Sequence, residues 1–128
     1  MKNKILFIPL ICFAVFFTGC KDKAQTLISI TVKNNAGEIQ PNVLVYEFES
    51  PAADVYGSNP MYANKSKLTN EQGIAVFTID GFEYNEGSNE ASLYFTVIEK
   101  KDAIYTIKGT VNLKIKDGEV LSETLYTN

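Results

Sequence analysis

Tyr105-Thr106-Ile107-Lys108-Gly109-Thr110-Val111-Asn112-Leu113-Lys114-Ile115-Lys116-Asp117-Gly118 is the stretch that decides the fold. Tyr105, Ile107, Val111, Leu113 and Ile115 fall on alternate positions, and Thr106, Lys108, Thr110, Asn112, Lys114 and Lys116 fill the positions between them. Successive side chains of an extended strand leave opposite faces. This alternation therefore predicts an antiparallel strand with one buried side and one solvated, lysine-bearing side. Gly109 interrupts the apolar side and marks a bulge or a bend. Asp117-Gly118 is a two-residue hairpin signal, since the favoured hairpin turn needs positive φ at both central residues. It predicts Ile115 opposite Val120 and a closing strand over 119–126.

The same punctuation recurs upstream. Ile28, Ile30 and Val32 alternate with Ser29, Thr31 and Lys33, and Asn34-Asn35-Ala36-Gly37 then turns the chain. A second strand over 43–49 is apolar on both sides at its start, which suits a central position. A third certain strand covers 74–79, between Gly73 and Asp80-Gly81, and a fourth carries Leu93, Phe95 and Val97 against Tyr94, Thr96 and Ile98. A weaker segment over 64–68 raises the count to about seven. No stretch keeps a helical period, and β-branched residues are dense. Seven short strands in one domain suggest an all-β, antiparallel sandwich of the transthyretin-like or immunoglobulin-like kind.

The N-terminus has a different character. Met1-Lys2-Asn3-Lys4 is a short positive segment, followed by thirteen uncharged residues from Ile5 to Phe17 and then Thr18-Gly19-Cys20. Thirteen residues are too few for a hydrocarbon core that needs about twenty in a helix, which argues against an uncleaved anchor helix. The end of the run resembles the lipobox of bacterial lipoproteins, an aliphatic residue, a small residue, Gly or Ala, then Cys; Phe17 departs from the usual Leu. The resemblance implies a signal peptide over 1–19, diacylglyceryl transfer to the Cys20 thiol, and a short polar tether within 20–26 ahead of a β-sandwich domain over 27–128. Two or three acyl chains give stable anchoring at ~0.8 kcal/mol for each buried CH₂. The competing reading is an ordinary cleaved signal with an incidental Cys. Lys21 rather than Asp after the cysteine points to the outer membrane of a Gram-negative cell envelope.

Absent residue types narrow the chemistry. Of 128 residues none is His, so Ser-His-Asp and Cys-His catalysis and His-ligated zinc are excluded. Of the two cysteines, Cys12 leaves with the signal and Cys20 is the lipidation site, so the domain keeps no thiol nucleophile, thiolate ligand or disulfide. Twelve basic residues, all Lys, stand against fifteen acidic ones, and losing Lys2 and Lys4 takes the charge from −3 to about −5. A mildly acidic domain without Arg lacks the footprint of a nucleic-acid binder.

Two segments stand out together. Gly37-Glu38-Ile39-Gln40-Pro41-Asn42-Val43-Leu44-Val45 is similar to the G-x-x-x-P-x-V-x-V joint between the first two strands of carboxypeptidase regulatory-like domains, which share a transthyretin-like sandwich. Leu68-Thr69-Asn70-Glu71-Gln72-Gly73-Ile74-Ala75-Val76-Phe77 resembles that family's T-D-x-x-G-x-F hairpin. Pro41 stiffens the start of the second strand, and Asn70 and Gly73 suit a tight turn with Gly at positive φ. The resemblance implies a fold and no catalytic residues. A second resemblance, to collagen-adhesin B-type repeats, implies an isopeptide bond between a first-strand Lys and a last-strand Asn beside a buried acid. Lys33, Glu99 and Asn128 hold the corresponding places. Glu99 shares the Leu93, Phe95 and Val97 side and so reads as buried, but alternation sends Lys33 to the solvent side, where its amine stays charged. No bond is expected.

The remaining candidates are loops. The 50–67 connection carries Tyr56, Met61 and Tyr62 among Pro, Gly and Asn, and long loops in compact domains are frequently functional. It either presents these side chains or folds over the sandwich and buries them. The 80–90 loop holds Asp80, Glu83, Glu86 and Glu90 beside Phe82 and Tyr84, without the spacing of a calcium loop. A solvated acidic loop is the expectation, with no metal and no cofactor. The sequence therefore predicts a non-enzymatic, monomeric cell-envelope lipoprotein held to the membrane by its lipid, a structural or protein-binding module whose partner the sequence does not name, with envelope proteins and polysaccharide as the candidate classes. The alternative is a carbohydrate-binding accessory module that grips polysaccharide with Tyr56, Tyr62, Phe82 and Tyr84.

Overall fold

A computed structural model of the chain describes residues 25–54, 56–80 and 90–128. The 1–19 signal, Cys20 and the residues up to 24 lie outside the described residues, as do Phe82 and Tyr84. Seven strands run in the order β1 (Gln25–Asn34), β2 (Leu44–Phe48), β3 (Lys65–Leu68), β4 (Ile74–Asp80), β5 (Glu90–Lys101), β6 (Ile104–Lys116) and β7 (Val120–Thr127). They form a β-sandwich: a three-stranded sheet ordered β4-β1-β7 faces a four-stranded sheet ordered β3-β2-β5-β6. Every strand read from the alternation is present, the weak 64–68 segment included. The first begins two residues ahead of the expected domain start, because Thr26 is buried and bonded into the sandwich.

Alternating residues supply the core. Ile28, Ile30 and Val32 of β1, Ala75, Phe77 and Ile79 of β4 and Leu125 of β7 meet Val45, Leu93, Phe95, Val97 and Ile115 of the other sheet. Phe77 and Phe95 tie the two sheets at the centre, with rings 4.9 Å apart and tilted by 59°. That separation lies within the range where tilted aromatic pairs attract beyond simple area burial.

Two expectations are corrected. The Asp117-Gly118 turn forms, with Gly118 at φ 79, but β6 and β7 belong to different sheets and Ile115 does not pair with Val120. Thr26 is the cause. Its Oγ1 donates to the Lys116 carbonyl at 3.1 Å and accepts from the Gly118 amide at 3.1 Å, and the Leu27 amide donates to the Glu119 carbonyl at 3.0 Å. The turn is thereby captured by β1, and β7 continues parallel to β1 from Leu27–Val120 to Asn34–Thr127. The sandwich is antiparallel elsewhere and parallel at this pair.

The second correction concerns the deciding strand itself. Val97 pairs with Gly109 but Ile98 pairs with Ile107, so Lys108 is an extra residue on β6. A bulge of this kind reverses which face the following side chains occupy. Ile107 and Tyr105 therefore join Ile98 and Lys100 on the outer face instead of continuing the Val111, Leu113 and Ile115 side. Past the bulge the β5–β6 ribbon also outruns the core, which leaves Glu99 exposed rather than buried. Gly109 has its own reason to be Gly: a Cβ there would sit 2.2 Å from the Tyr126 carbonyl oxygen, where β7 passes close, and the Asn128 amide donates to the Lys108 carbonyl at 3.0 Å.

Candidate functional site

The 50–63 connection leaves β2 and crosses the outer face of the four-stranded sheet. Phe48 and Thr96 face outward and yet are buried, and so is Ala52 in the first 3₁₀ turn, Ala52–Asp54. The first part of the segment thus lies against the sheet. Tyr56 opens the second turn, Tyr56–Ser58, and its side chain lies outside the described part.

The second half behaves differently. Pro60–Tyr62 is a 3₁₀ turn with Asn59 as its cap: Asn59 Oδ1 accepts from the Met61 amide at 3.0 Å, and the Asn59 carbonyl accepts from the Tyr62 amide at 3.2 Å. Pro60 supplies a fixed φ at the first turn position, where no amide is needed. The Ala63 amide closes the turn on the Pro60 carbonyl at 3.0 Å, and the Asn64 amide bonds the Glu47 carbonyl at 2.8 Å. On this pinned turn Met61 is 74% exposed and Tyr62 49% exposed. Because the backbone of the turn is already fixed, a partner that meets these side chains has only their rotamers to order and not the backbone.

The other expected site residues are not gathered around this turn. Phe82, Tyr84 and Cys20 lie outside the described residues. Lys33 projects from the outer face beside Tyr126, its partner in register, and Glu99 stands exposed on the distal ribbon opposite Thr106. Among the described residues no three acidic, Cys or His side chains converge on a metal-sized space.

Sequence reasoning missed three features. Glu47 is the one charged side chain buried among the described residues, on the core-facing side of β2 and in register with Phe95 and Lys65. The alternation Val45, Glu47 announces this position, since both share parity. Lys65 reaches across to the other sheet and donates to the Thr78 carbonyl at 2.9 Å. The third is a row of apolar residues on the outer face of the four-stranded sheet. Leu68 pairs with Leu44, Ile98 pairs with Ile107, and Leu44 and Ile98 each lie two residues beyond the bonded Tyr46–Thr96 pair. Gly109 beside Lys108 is the signal that could have exposed the row, because a bulge there is what carries Ile107 outward.

No family model and no curated protein sequence matches the chain. Among solved structures it is similar to chlorocatechol 1,2-dioxygenase from Pseudomonas putida, at 14% identity and a TM-score of 0.47 over 84% of this chain. The match spans 61% of that enzyme's length.

Proposed function

We propose that the chain is a lipid-anchored, non-enzymatic binding lipoprotein of the bacterial cell envelope, built on a transthyretin-like sandwich of the carboxypeptidase regulatory-like kind. The observation that carries the binding role is the capped Pro60–Tyr62 turn with Met61 and Tyr62 in solvent. An envelope protein is the partner class that such an apolar pair suits. Polysaccharide is the second reading, favoured by the half-exposed Tyr62 ring, which offers a flat stacking face.

The anchor reading has a geometric consequence. Gln25 pairs with Asp80, and Thr26 bonds the 116–118 turn, so the chain emerges at one end of the sandwich. The Asp102-Ala103 turn between β5 and β6 lies at the other, since Glu90 pairs with Lys116 and Lys101 with Ile104. Five steps from Cys20 to Gln25 reach at most about 18 Å. An acylated Cys20 holds the first end near the bilayer and points the β5–β6 tip away from it.

Two measurements test the proposal. Labelled palmitate is expected to enter the wild-type chain and not Cys20→Ala; no incorporation into wild type removes the anchor. A photo-crosslinking residue at position 61 is expected to give a discrete adduct in intact cells, and the same residue at the exposed Val76 of the opposite sheet is not. Equal labelling from both positions, or none, removes the binding role from this turn.

A further inference from the structure

Asp117-Gly118 is reactive as well as turn-forming. Gly carries no Cβ to shield its nitrogen, so the Gly118 nitrogen can attack the carboxyl carbon of the Asp117 side chain. In that step the N–Cγ bond forms and the protonated carboxyl loses its hydroxyl, which leaves with the amide proton as water. The product is a five-membered succinimide. Water then adds back to one of its two carbonyls and breaks the bond from that carbon to nitrogen. Opening at Cγ restores Asp, and opening at the main-chain carbonyl leaves the chain running through Cβ, as isoaspartate. One water leaves and one returns, so the conversion needs no co-reactant and leaves the mass unchanged.

The fold holds this turn away from that chemistry in two ways. Gly118 has φ 79 whereas Asp117 is not among the residues at positive φ, the pattern of a type II turn. Such a turn sets ψ of its first central residue at about +120°, which swings the next nitrogen away from that residue's side chain. Ring closure therefore requires the 117–118 peptide plane to turn over. Thr26 stands in the way of that rotation. Its buried hydroxyl accepts from the Gly118 amide at 3.1 Å and is itself oriented by donating to the Lys116 carbonyl at 3.1 Å. The amide proton that must be lost is thus the one Thr26 holds, and the plane that must turn is the one Thr26 fixes. The rest of the turn is tied independently, with the Glu119 amide on the Lys116 carbonyl at 3.2 Å and the Lys116 amide on Glu119 Oε1 at 2.7 Å. Asp117 is half-buried and Gly118 exposed, so water reaches the site.

We propose that Asp117 is a modification site, open to isoaspartate formation, and that Thr26 is the residue that keeps it closed. Thr26 lies one residue from the start of β1, and strand ends open at the least cost in free energy. Each opening frees the Gly118 amide and lets the plane turn. Isoaspartate inserts Cβ into the main chain, so the Lys116 carbonyl and the Gly118 amide can no longer meet the Thr26 hydroxyl together. The change therefore accumulates and loosens the turn that hands β7 to β1. It rests on neither the lipid anchor nor the Met61 turn.

The test incubates the full chain, purified from its host, at neutral pH beside a synthetic peptide of residues 114–121. Isoaspartate at 117 is scored in the matching chymotryptic fragment by electron-transfer fragmentation, which separates it from the other Asp-Gly step at Asp80. The wild type is expected to convert at least tenfold more slowly than the peptide, a factor equal to a local opening of about 1.4 kcal/mol or more. Thr26→Val is expected to convert roughly fivefold or more faster than wild type, and Thr26→Ser, which keeps the hydroxyl, at the wild-type rate. Protected amides at Ile30 and Val32 show that Thr26→Val is folded during the incubation. Should that variant not fold, low urea applied to the wild type replaces it: conversion is expected to rise in step with exchange at the Gly118 amide, below the urea concentration that exposes Ile30 and Val32. Conversion of the wild type as fast as the peptide overturns the proposal. So does a folded Thr26→Val as slow as wild type, which would leave the turn geometry alone as the guard, or Gly118 exchange that rises without conversion.

Discussion

The hydroxyl of Thr69 donates to the Gln40 carbonyl at 2.6 Å and accepts from the Val43 amide at 2.9 Å, which locks the joint between β1 and β2 onto the turn between β3 and β4. The backbone reinforces the lock, with the Thr69 amide on the Val43 carbonyl at 2.8 Å and the Asn42 amide on the Thr69 carbonyl at 3.1 Å. Asn42 holds φ 58, a strained position for a residue with a side chain, and the clamp keeps it there. Thr69 itself is buried. The two segments that carry the family resemblance are thus one physical unit.

Thr69→Val keeps the shape and removes both hydroxyl bonds, leaving a donor and an acceptor short of a partner in a part-buried place. The expected cost is about 1–3 kcal/mol. Thr69→Ser retains the hydroxyl and is expected to lose less. Urea unfolding of the two variants decides the matter, and equal stability of Val and Ser at this position would show that the clamp is held by backbone bonds alone.

Gly109→Ala places a Cβ against the backbone oxygen of Tyr126 and 2.9 Å from Leu125 Cδ2. A carbonyl in a closing strand cannot swing aside as a flexible side chain can, so the variant is expected to lose about 3 kcal/mol or to fail to fold. Gly37→Ala is the contrasting substitution. Its Cβ meets nothing within 4 Å, but φ is +82, so the cost is conformational, about 1–2 kcal/mol. Thermal melts of both variants separate crowding from backbone strain.

Asp102 and Ala103 form the β5–β6 turn with φ of 57 and 80. Both central residues at positive φ suit a two-residue hairpin whose preferred residues are Asn or Asp followed by Gly. Asp102 fits, whereas Ala103 pays for a Cβ at a left-handed position. Ala103→Gly is expected to stabilise the domain by about 1 kcal/mol, net of the freedom that Gly adds to the unfolded chain. A raised denaturation midpoint with unchanged slope is the expected reading.

The fold was legible because its information is local. Period-two alternation located Ile28-Ile30-Val32 and Leu93-Phe95-Val97, the Gly73 and Asp80-Gly81 boundaries located the 74–79 strand, and each forms part of the core. What was not legible depends on partners distant in the chain. Asp117-Gly118 specifies a tight turn, but only Thr26, some ninety residues away, directs the outgoing strand to β1 instead of back along β6. Gly109 indicated a bulge or a bend without saying which face Ile107 would then occupy. That outcome depends on one extra residue, Lys108, in the ladder opposite β5. The candidate site divides the same way. The length and the Pro, Gly and Asn content of 50–67 mark a loop that carries Met61 and Tyr62, whereas whether they are presented or buried is decided by packing.

Thr26 also fixes where the domain begins. The alternation of Ile28, Ile30 and Val32 suggests a start at residue 27, and a fragment cut there would keep every one of those core residues. It would lose Gln25, whose Nε2 donates to Asp80 at 3.3 Å, and Thr26, whose hydroxyl bonds both ends of the 116–118 turn. The first loss is a surface contact of small effect. The second removes a buried donor and acceptor and frees the turn that hands β7 to β1. A fragment over 27–128 is therefore expected to be less stable than one over 23–128 by roughly 1–3 kcal/mol. Thr26→Val within 23–128 is expected to reproduce most of the difference, and Gln25→Ala little of it. If the two fragments unfold at the same urea concentration, the Leu27 to Glu119 backbone bond and the parallel ladder suffice to hold the turn without Thr26. Hydrogen exchange at the Gly118 amide offers a second reading, since that proton is expected to exchange much faster in Thr26→Val while the amides of Ile30 and Val32 stay protected.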